Sequence, residues 1–370
     1  ESLVSVLIAV LAFAVLATSV VTAEKINAKT REERKEKGMF SYTNAAPLPP
    51  DKKVTLNGNS GNIRVSPEKA EMIRKTARKM NYTPNINARA LAGQSTKVIG
   101  ILIDSKAPTV AFRLLAEIEH EATLHGYRTL IGEAHDSVEN LYETYQHLRQ
   151  HGVDGVICIS HDYPGENEKL EEYFRDCGPI VFLGQPEIRN HSHIILEIDS
   201  GIRDAVRYLR ESGRKRIAML ADRNMAYYSS QDRIKGFLSV LPDSREMLLS
   251  FTYHNNASTM REELRHIIKK FILPQQIDAI LATNDITALI LTGELNAAGL
   301  KIPEEIAVIG HDNEFFSECC PLPITTIDEN NAITAASSVK MLLDIMAENP
   351  KCRATRRITV KPELIIRKTT

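Results

Sequence analysis

The chain has 370 residues, 43% of them hydrophobic and 25% charged, so it can bury a large core and is long enough for two or more domains. Its formal net charge of -1 conceals a division: residues 24–98 carry 16 Lys/Arg against 7 Asp/Glu, and residues 99–370 carry 30 against 39. A basic front on an acidic body suits a nucleic-acid-binding module joined to a part that must not bind nucleic acid. The five cysteines (Cys158, Cys177, Cys319, Cys320 and Cys352) are odd in number and lack C-x-x-C spacing, so neither a disulfide framework nor a zinc site is indicated, which fits a reducing cytosol.

Residues 2–23 are uncharged and dominated by Leu, Val and Ala, a length that crosses a bilayer as a helix. A mixed-charge run follows at 25–37, which places the subsequent chain in the cytoplasm. The segment therefore reads either as an anchor, giving membrane association, or as an unrelated sequence fused to the rest. Residues 45–50, AAPLPP, form a stiff proline-rich linker. Ser66 and Pro67 then open a helix as cap and first helical residue, with Ala70, Ile73, Ala77 and Met80 on one face and Arg74, Lys75, Arg78 and Lys79 around it. Pro84 ends that helix, and a short helix-compatible piece follows at Asn87–Ala92.

From Lys97 onward, apolar runs of strand length alternate with helical patterns. Strands are expected at 98–104, 128–134, 155–160 and 179–184, with helices at 111–125, 138–151 and 167–176 between and after them. A second series has helices at 201–212, 230–241, 259–271 and 286–298 and strands at 216–221, 248–253, 278–283, 306–311 and 324–328. A helix at 332–348 and one last strand, ITVKPELII (358–366), complete the chain. Two successive runs of this kind predict an α/β fold with two doubly wound parallel-sheet subdomains and a ligand cleft at the carboxyl ends of their strands. No G-x-G-x-x-G, G-x-x-x-x-G-K, G-x-S-x-G or H-E-x-x-H occurs, so no enzyme, cofactor or metal signature is present.

Several pieces occur in a familiar order across residues 54–368. They are LNGN (56–59), RVSPEKAEMIRKTARKMNYTPN (64–85), NARAL (87–91), HGYRTLI (125–131), GVDGVI (152–157), QDRIKGF (231–237), ATNDITAL (282–289), IPEEIAVIGHDN (302–313), PLPITTID (321–328) and PELIIRK (362–368). Together they resemble the LacI/GalR family of transcription repressors, whose core has the periplasmic-binding-protein-like (type I) fold. Residues 1–40 separately resemble the N-terminal helix of type IV pilins. The first resemblance implies a homodimer that binds palindromic operator DNA through a helix-turn-helix and a minor-groove hinge helix, under control of a small effector, often a sugar. It implies DNA contacts at Asn57, Asn87, Arg89 and Leu91; apolar Leu91 is placed to wedge between base steps, with Arg89 beside the phosphates or the groove floor. The family's first two helices should precede LNGN, but residues 40–55 read FSYTNAAPLPPDKKVT, whose prolines cannot lie inside a recognition helix. A truncated helix-turn-helix is therefore expected, with weak, salt-dependent phosphate binding in place of major-groove reading.

The resemblance further implies effector contacts by Arg233, Asn284 and Asp312. Arg233 offers a planar fork of donors for paired acceptors on a polar ligand. The strand-end rule adds Asp104 after the first core strand and His161 and Asp162 after the third. Asp104 and Asp285 can equally cap the helices that follow them. Phe112, Tyr227 and Tyr228 are the aromatics available to stack on a ligand. The expected domains are 1–40 (hydrophobic helix), 54–96 (partial DNA-binding segment) and 97–370 (effector and dimerisation core), the core divided into 97–198 with 329–350 and 199–325. The chain ends at Thr370 without a heptad-repeat helix, so a dimer is the expected limit. The competing reading is a membrane-tethered, periplasmic-type sugar-binding protein, for which the basic helix and hinge at 64–92 would have no use.

Overall fold

A computed structural model of the chain describes residues 95–370, apart from 105–108, 136, 224–226, 255 and 350–353, together with separate positions between 54 and 79. The chain divides between Gln94 and Ser95 into two units. In the first, the two-residue strands Val54–Thr55 and Asn62–Ile63 pair antiparallel, and Glu68, Glu71, Met72, Lys75, Thr76 and Lys79 are helical. The hydrophobic segment 2–23, the prolines of 45–50 and the DNA-contact candidates Asn57, Asn87, Arg89 and Leu91 lie outside the described residues. Among the described residues no helix is long and apolar enough to cross a membrane.

The second unit holds two six-stranded sheets. The first contains β1 (Val98–Asp104), β2 (Arg128–Ala134), β3 (Gly155–Cys158), β4 (Ile180–Leu183), β5 (Ser192–Leu196) and a later strand, β11 (Arg357–Val360). The order is β2-β1-β3-β4-β5-β11, and every pair is parallel. Helices α1 (Thr109–Leu124), α2 (Val138–Gln150) and α3 (Asn167–Phe174) connect the first strands. Helix α2 shows how the local sequence dictates its element: Ser137 caps it by accepting from Asn140 N, and Val138, Leu141, Tyr145 and Leu148 recur at helical spacing and are all buried.

The second sheet contains β6 (Ile217–Asp222), β7 (Leu248–Phe251), β8 (Ala279–Leu281), β9 (Ala307–His311), β10 (Thr325–Asp328) and β12 (Glu363–Ile365), in the order β7-β6-β8-β9-β10-β12. Only β12 runs antiparallel to its neighbour. Its helices are α4 (Ile198–Glu211), α5 (Tyr228–Val240), α6 (Ala257–Ile267, continued by a π-helical turn to Ile272), α7 (Asp285–Ala297) and the short α8 (Phe315–Cys319). The last helix, α9 (Asn331–Ala347), returns to the first sheet, where Ala335, Val339, Met341, Leu342 and Ile345 join its core. Helices α4 and α5 approach so closely that a Cβ at Gly236 would lie 2.5 Å from the Asp199 carbonyl oxygen, which explains the glycine in QDRIKGF.

Three expectations need correction. PIVFLG does not close the first series; β5 follows it, and its buried Ser192 and His193 hid it from an apolar-run reading. ITVKPELII is not one strand: Val360 ends β11 in the first sheet, and after Pro362 the chain pairs with β10 in the second. Proline has no N–H for a ladder, so the strand breaks where the chain crosses. Helix α8 had no counterpart in the sequence reading.

Both sheets follow the doubly wound pattern in which strand order reverses beside the first strand, between β1 and β3 in one and between β6 and β8 in the other. The crevice outside the carboxyl ends at such a reversal is where open α/β sheets hold ligands.

Candidate functional site

The second sheet supplies a polar floor. Arg233, one turn into α5, donates through Nη1 to the Thr283 carbonyl at 2.8 Å, and its Nη2 lies 3.2 Å from His311 Nδ1. His311 is the last residue of β9 and is fully buried. The same Nδ1 is 3.0 Å from Asp312 Oδ1 and 3.5 Å from Glu329 Oε1. Burial pushes the Glu329 carboxyl above its ordinary range; the charge of His311 opposes this and that of Asp312 adds to it. Asp312 and Asn313 both have left-handed backbone, with φ of 96° and 48°.

That turn is held from behind. Arg367 donates to the Asn313 side-chain oxygen at 2.7 Å, and the Asn313 amide donates to Asp328 at 2.7 Å. Asp285 accepts from Glu314 N (2.7 Å), Ser317 Oγ (2.5 Å) and Thr326 Oγ1 (2.6 Å). Asp285 is thus a buried fastener of the turn, not the cap of α7. The cap is Asn284, whose side chain accepts from Thr287 N at 2.9 Å.

The first sheet faces this floor. Asp104, buried at the end of β1, accepts from Tyr163 Oη at 2.5 Å. Asp162 Oδ2 accepts from the backbone N–H of Tyr228, at the start of α5, at 2.7 Å, while its Oδ1 is buried without a hydrogen-bond partner. Burial, with the charge of Asp232 added, lifts the Asp162 carboxyl to about 6. Asn167 donates to the Tyr228 hydroxyl at 2.8 Å. Arg113 on α1 completes the crossing by donating to the carbonyls of Asp312 (2.9 Å) and Asn313 (2.8 Å). Of the expected aromatics, Tyr228 joins these contacts and Phe112 is half exposed.

His161 stands apart from the polar contacts. It is buried, packs against Phe182 at 5.0 Å between ring centroids, and its Nε2 donates to the Pro186 carbonyl at 2.8 Å. Burial pushes its proton affinity down to about 3, so the ring is neutral. The unfolded chain binds this proton from about pH 6.5 downward and the folded chain does not, so the associated stability is present above pH 6.5 and lost as pH falls towards 3. The loss from this one ring between pH 7 and pH 5 should be about 2 kcal/mol. Melting curves at the two pH values should show it, and His161→Gln should flatten the difference. An unchanged pH slope in that variant would exclude a buried neutral ring.

Arg233 and Asp312 therefore share the His311 ring nitrogen in the second subdomain, Asp104 and Asp162 lie at strand ends of the first, and the contact of Asp162 with the Tyr228 N–H joins the two; Asn284 caps α7, and His161 packs into the first subdomain. The sequence reading missed His311, Glu329 and Arg113. The strand-end rule applied to β9 and β10 would have found His311 and Glu329. Arg113 had no signal beyond being a charge on an amphipathic helix. His311, Asp312 and Glu329 offer ligand atoms within 4.8 Å of one another, a spacing that suits a metal ion, but Arg233 already supplies positive charge 3.2 Å from the shared nitrogen.

Residues 206–370 match the periplasmic binding protein-like domain family. Over 306 residues the chain is 24% identical to the HTH-type transcriptional repressor PurR of Pasteurella multocida, covering 82% of this chain and 90% of that protein. An HTH-type transcriptional regulator of Lachnoclostridium phytofermentans is 24% identical over 322 residues, 84% of this chain and 93% of the relative. The Lac repressor bound to ONPG in its repressed state shares the fold with a TM-score of 0.70 at 23% identity, covering 85% of this chain and 93% of that one. The regulator CelR in complex with cellobiose does so with a TM-score of 0.62 at 19% identity, over 84% of this chain and 93% of its own. These relatives are transcriptional regulators, not enzymes.

Proposed function

We propose that this chain is a DNA-binding transcriptional regulator of LacI/GalR type, working in the cytoplasm as a homodimer without catalytic activity. Its operator binding is controlled by a small effector, of sugar class, in the cleft between the two subdomains. The observation that supports this reading is that the strand ends of the two sheets meet through polar contacts, Asp162 with the Tyr228 N–H and Arg113 with the Asp312 carbonyl, beside the strand-order reversals. The relatives supply the regulatory context, since the alignment with helix-turn-helix repressors spans nine-tenths of their length. A tethered sugar-binding protein without DNA binding accounts for the cleft but not for that alignment.

Within this reading, Arg233 and Asp312 are the principal effector contacts, with Asn284, Asp104 and Asp162 around them, while His161, packed on Phe182 and bonded to the Pro186 carbonyl, holds the loop that carries Asp162. Asn57, Asn87, Arg89 and Leu91 are the DNA-contact residues. The dimer is supported by exposed apolar side chains: Phe112 (50% exposed) and Phe315 (83%) flank the Arg113 contact, with Ile131 (52%) on edge strand β2. Effector binding would act on DNA affinity by changing how the subdomains meet, because the Asp312 carboxylate lies against His311 beside Arg233 while its carbonyl accepts from Arg113.

The test is selection from a pool of randomised duplexes by the full chain. Enrichment of one palindromic sequence is expected, weak and salt-dependent because it rests on the minor-groove hinge and not on a recognition helix, and Leu91→Ala should weaken it further. Failure to enrich any sequence would overturn the DNA-binding part of the proposal.

A further inference from the structure

Helix α5 is capped from the other subdomain. It begins at Tyr228, and Tyr227 before it contributes no side-chain cap. The acceptor for the Tyr228 N–H is Asp162 Oδ2, in the loop after β3, at 2.7 Å. Asn167, at the start of α3, donates to the Tyr228 hydroxyl at 2.8 Å, so two contacts cross the cleft to one residue. A carboxylate is ordinarily stabilised at a helix N-terminus. Here the surroundings oppose its charge. Asp162 Oδ1 is buried and has no hydrogen-bond partner among the described residues. Asp232, one turn into α5, faces it with a second negative charge, and Lys235, which offsets that charge, is paired with Asp199 at 3.1 Å. On its own side of the cleft Asp162 has the neutral His161 ring and Tyr163, whose hydroxyl donates to Asp104. Burial, with Asp232 added, outweighs the Tyr228 N–H and lifts the carboxyl from 3.8 to about 6.

We propose that Asp162 is a proton-operated latch of the cleft, through which acid favours the closed arrangement of the two subdomains. Opening parts Asp162 from Tyr228 and returns both carboxylate oxygens to water, where the group titrates as an ordinary aspartate. Closing therefore raises its proton affinity, and the state that holds a proton more tightly gains as pH falls. At pH 7 neither form is protonated to any extent. As pH falls through about 6 the closed form takes up the proton, and the open form does not until near 3.8. The closed-to-open ratio accordingly rises about tenfold between pH 7 and pH 5. The protonated carboxyl still offers Oδ2 to the Tyr228 N–H, so the latch stays engaged. The inference adds a regulation to the cleft of the reading above and needs no ligand.

The experiment follows closure of the full, ligand-free chain by single-molecule energy transfer between dyes on non-canonical residues at Glu172 and Glu262, exposed positions of the first and second subdomains. The closed-to-open ratio of the wild type should rise about tenfold from pH 7 to pH 5. Asp162→Asn keeps an acceptor for the Tyr228 N–H but carries no charge, so it should close at both pH values as the wild type does at pH 5. Asp162→Ala removes the acceptor and should favour the open form at both, and Asp232→Asn should shrink the wild-type response. A wild-type ratio that is unchanged or falls in acid, or a full response retained in Asp162→Asn, would overturn the latch. Silence of a thermal-shift panel of neutral, amino and acidic sugars would count against the effector reading and leave the latch standing.

Discussion

On the effector role proposed for Arg233, its replacement by alanine is expected to weaken effector binding by about 100-fold, the loss of about two charge-assisted hydrogen bonds to the ligand. The ligand that stabilises the wild-type chain in the thermal-shift panel serves as the probe. The variant should still fold, since among the described residues the hydrogen bonds of Arg233 run to the Thr283 carbonyl and His311 Nδ1. Circular dichroism separates lost binding from lost fold. Arg233→Lys should recover part of the affinity but not the fork geometry. A ligand-induced shift of wild-type size in Arg233→Ala would remove this residue from the site.

Asp285→Ala should be the most destabilising of the substitutions considered. The side chain is fully buried, and its removal leaves the Glu314 N–H, the Ser317 hydroxyl and the Thr326 hydroxyl without an acceptor. A cost of about 3–5 kcal/mol follows from breaking such a buried charged network. For a unit of this size it corresponds to a fall in melting temperature of roughly 10 °C. The space is equally constrained from the strand side: a Cβ at Gly310 would lie 2.0 Å from Asp285 Oδ1. Chemical denaturation with a two-state fit of the core gives the measurement. A loss below about 1 kcal/mol would mean that water replaces the carboxylate and that the turn at 312–314 does not depend on it.

These two residues differ in how far they could be read from sequence. Arg233 stood out because QDRIKGF belongs to an ordered set of motifs, and Asp312 because it follows an apolar run that ends at a sheet edge. Asp285 read as a cap for the helix that follows it, and the structure gives it another role. Asn284 holds the capping geometry, which leaves Asp285 pointing inward at the turn. Glu329 illustrates a different failure: it follows ITTID at a strand end as Asp312 follows IAVIGH, yet its importance appears only once β9 and β10 lie side by side. His161 was placed correctly after a strand, but a histidine there can face the cleft or pack backwards, and its contacts with Phe182 and Pro186 are long-range facts.

The sequence by itself determined the alternation of strands and helices, the two doubly wound halves and the neighbourhood of the cleft, because apolar periodicity and strand-end polarity are local signals. Tertiary structure alone decided that the last apolar run divides between two sheets and that Arg113 reaches across to the Asp312 carbonyl. It alone brought two carboxylates from different strands onto one histidine nitrogen. The physical reason is common to all three: each depends on residues far apart in the chain, and pairing at that range is set by how sheets and helices pack, not by any local pattern.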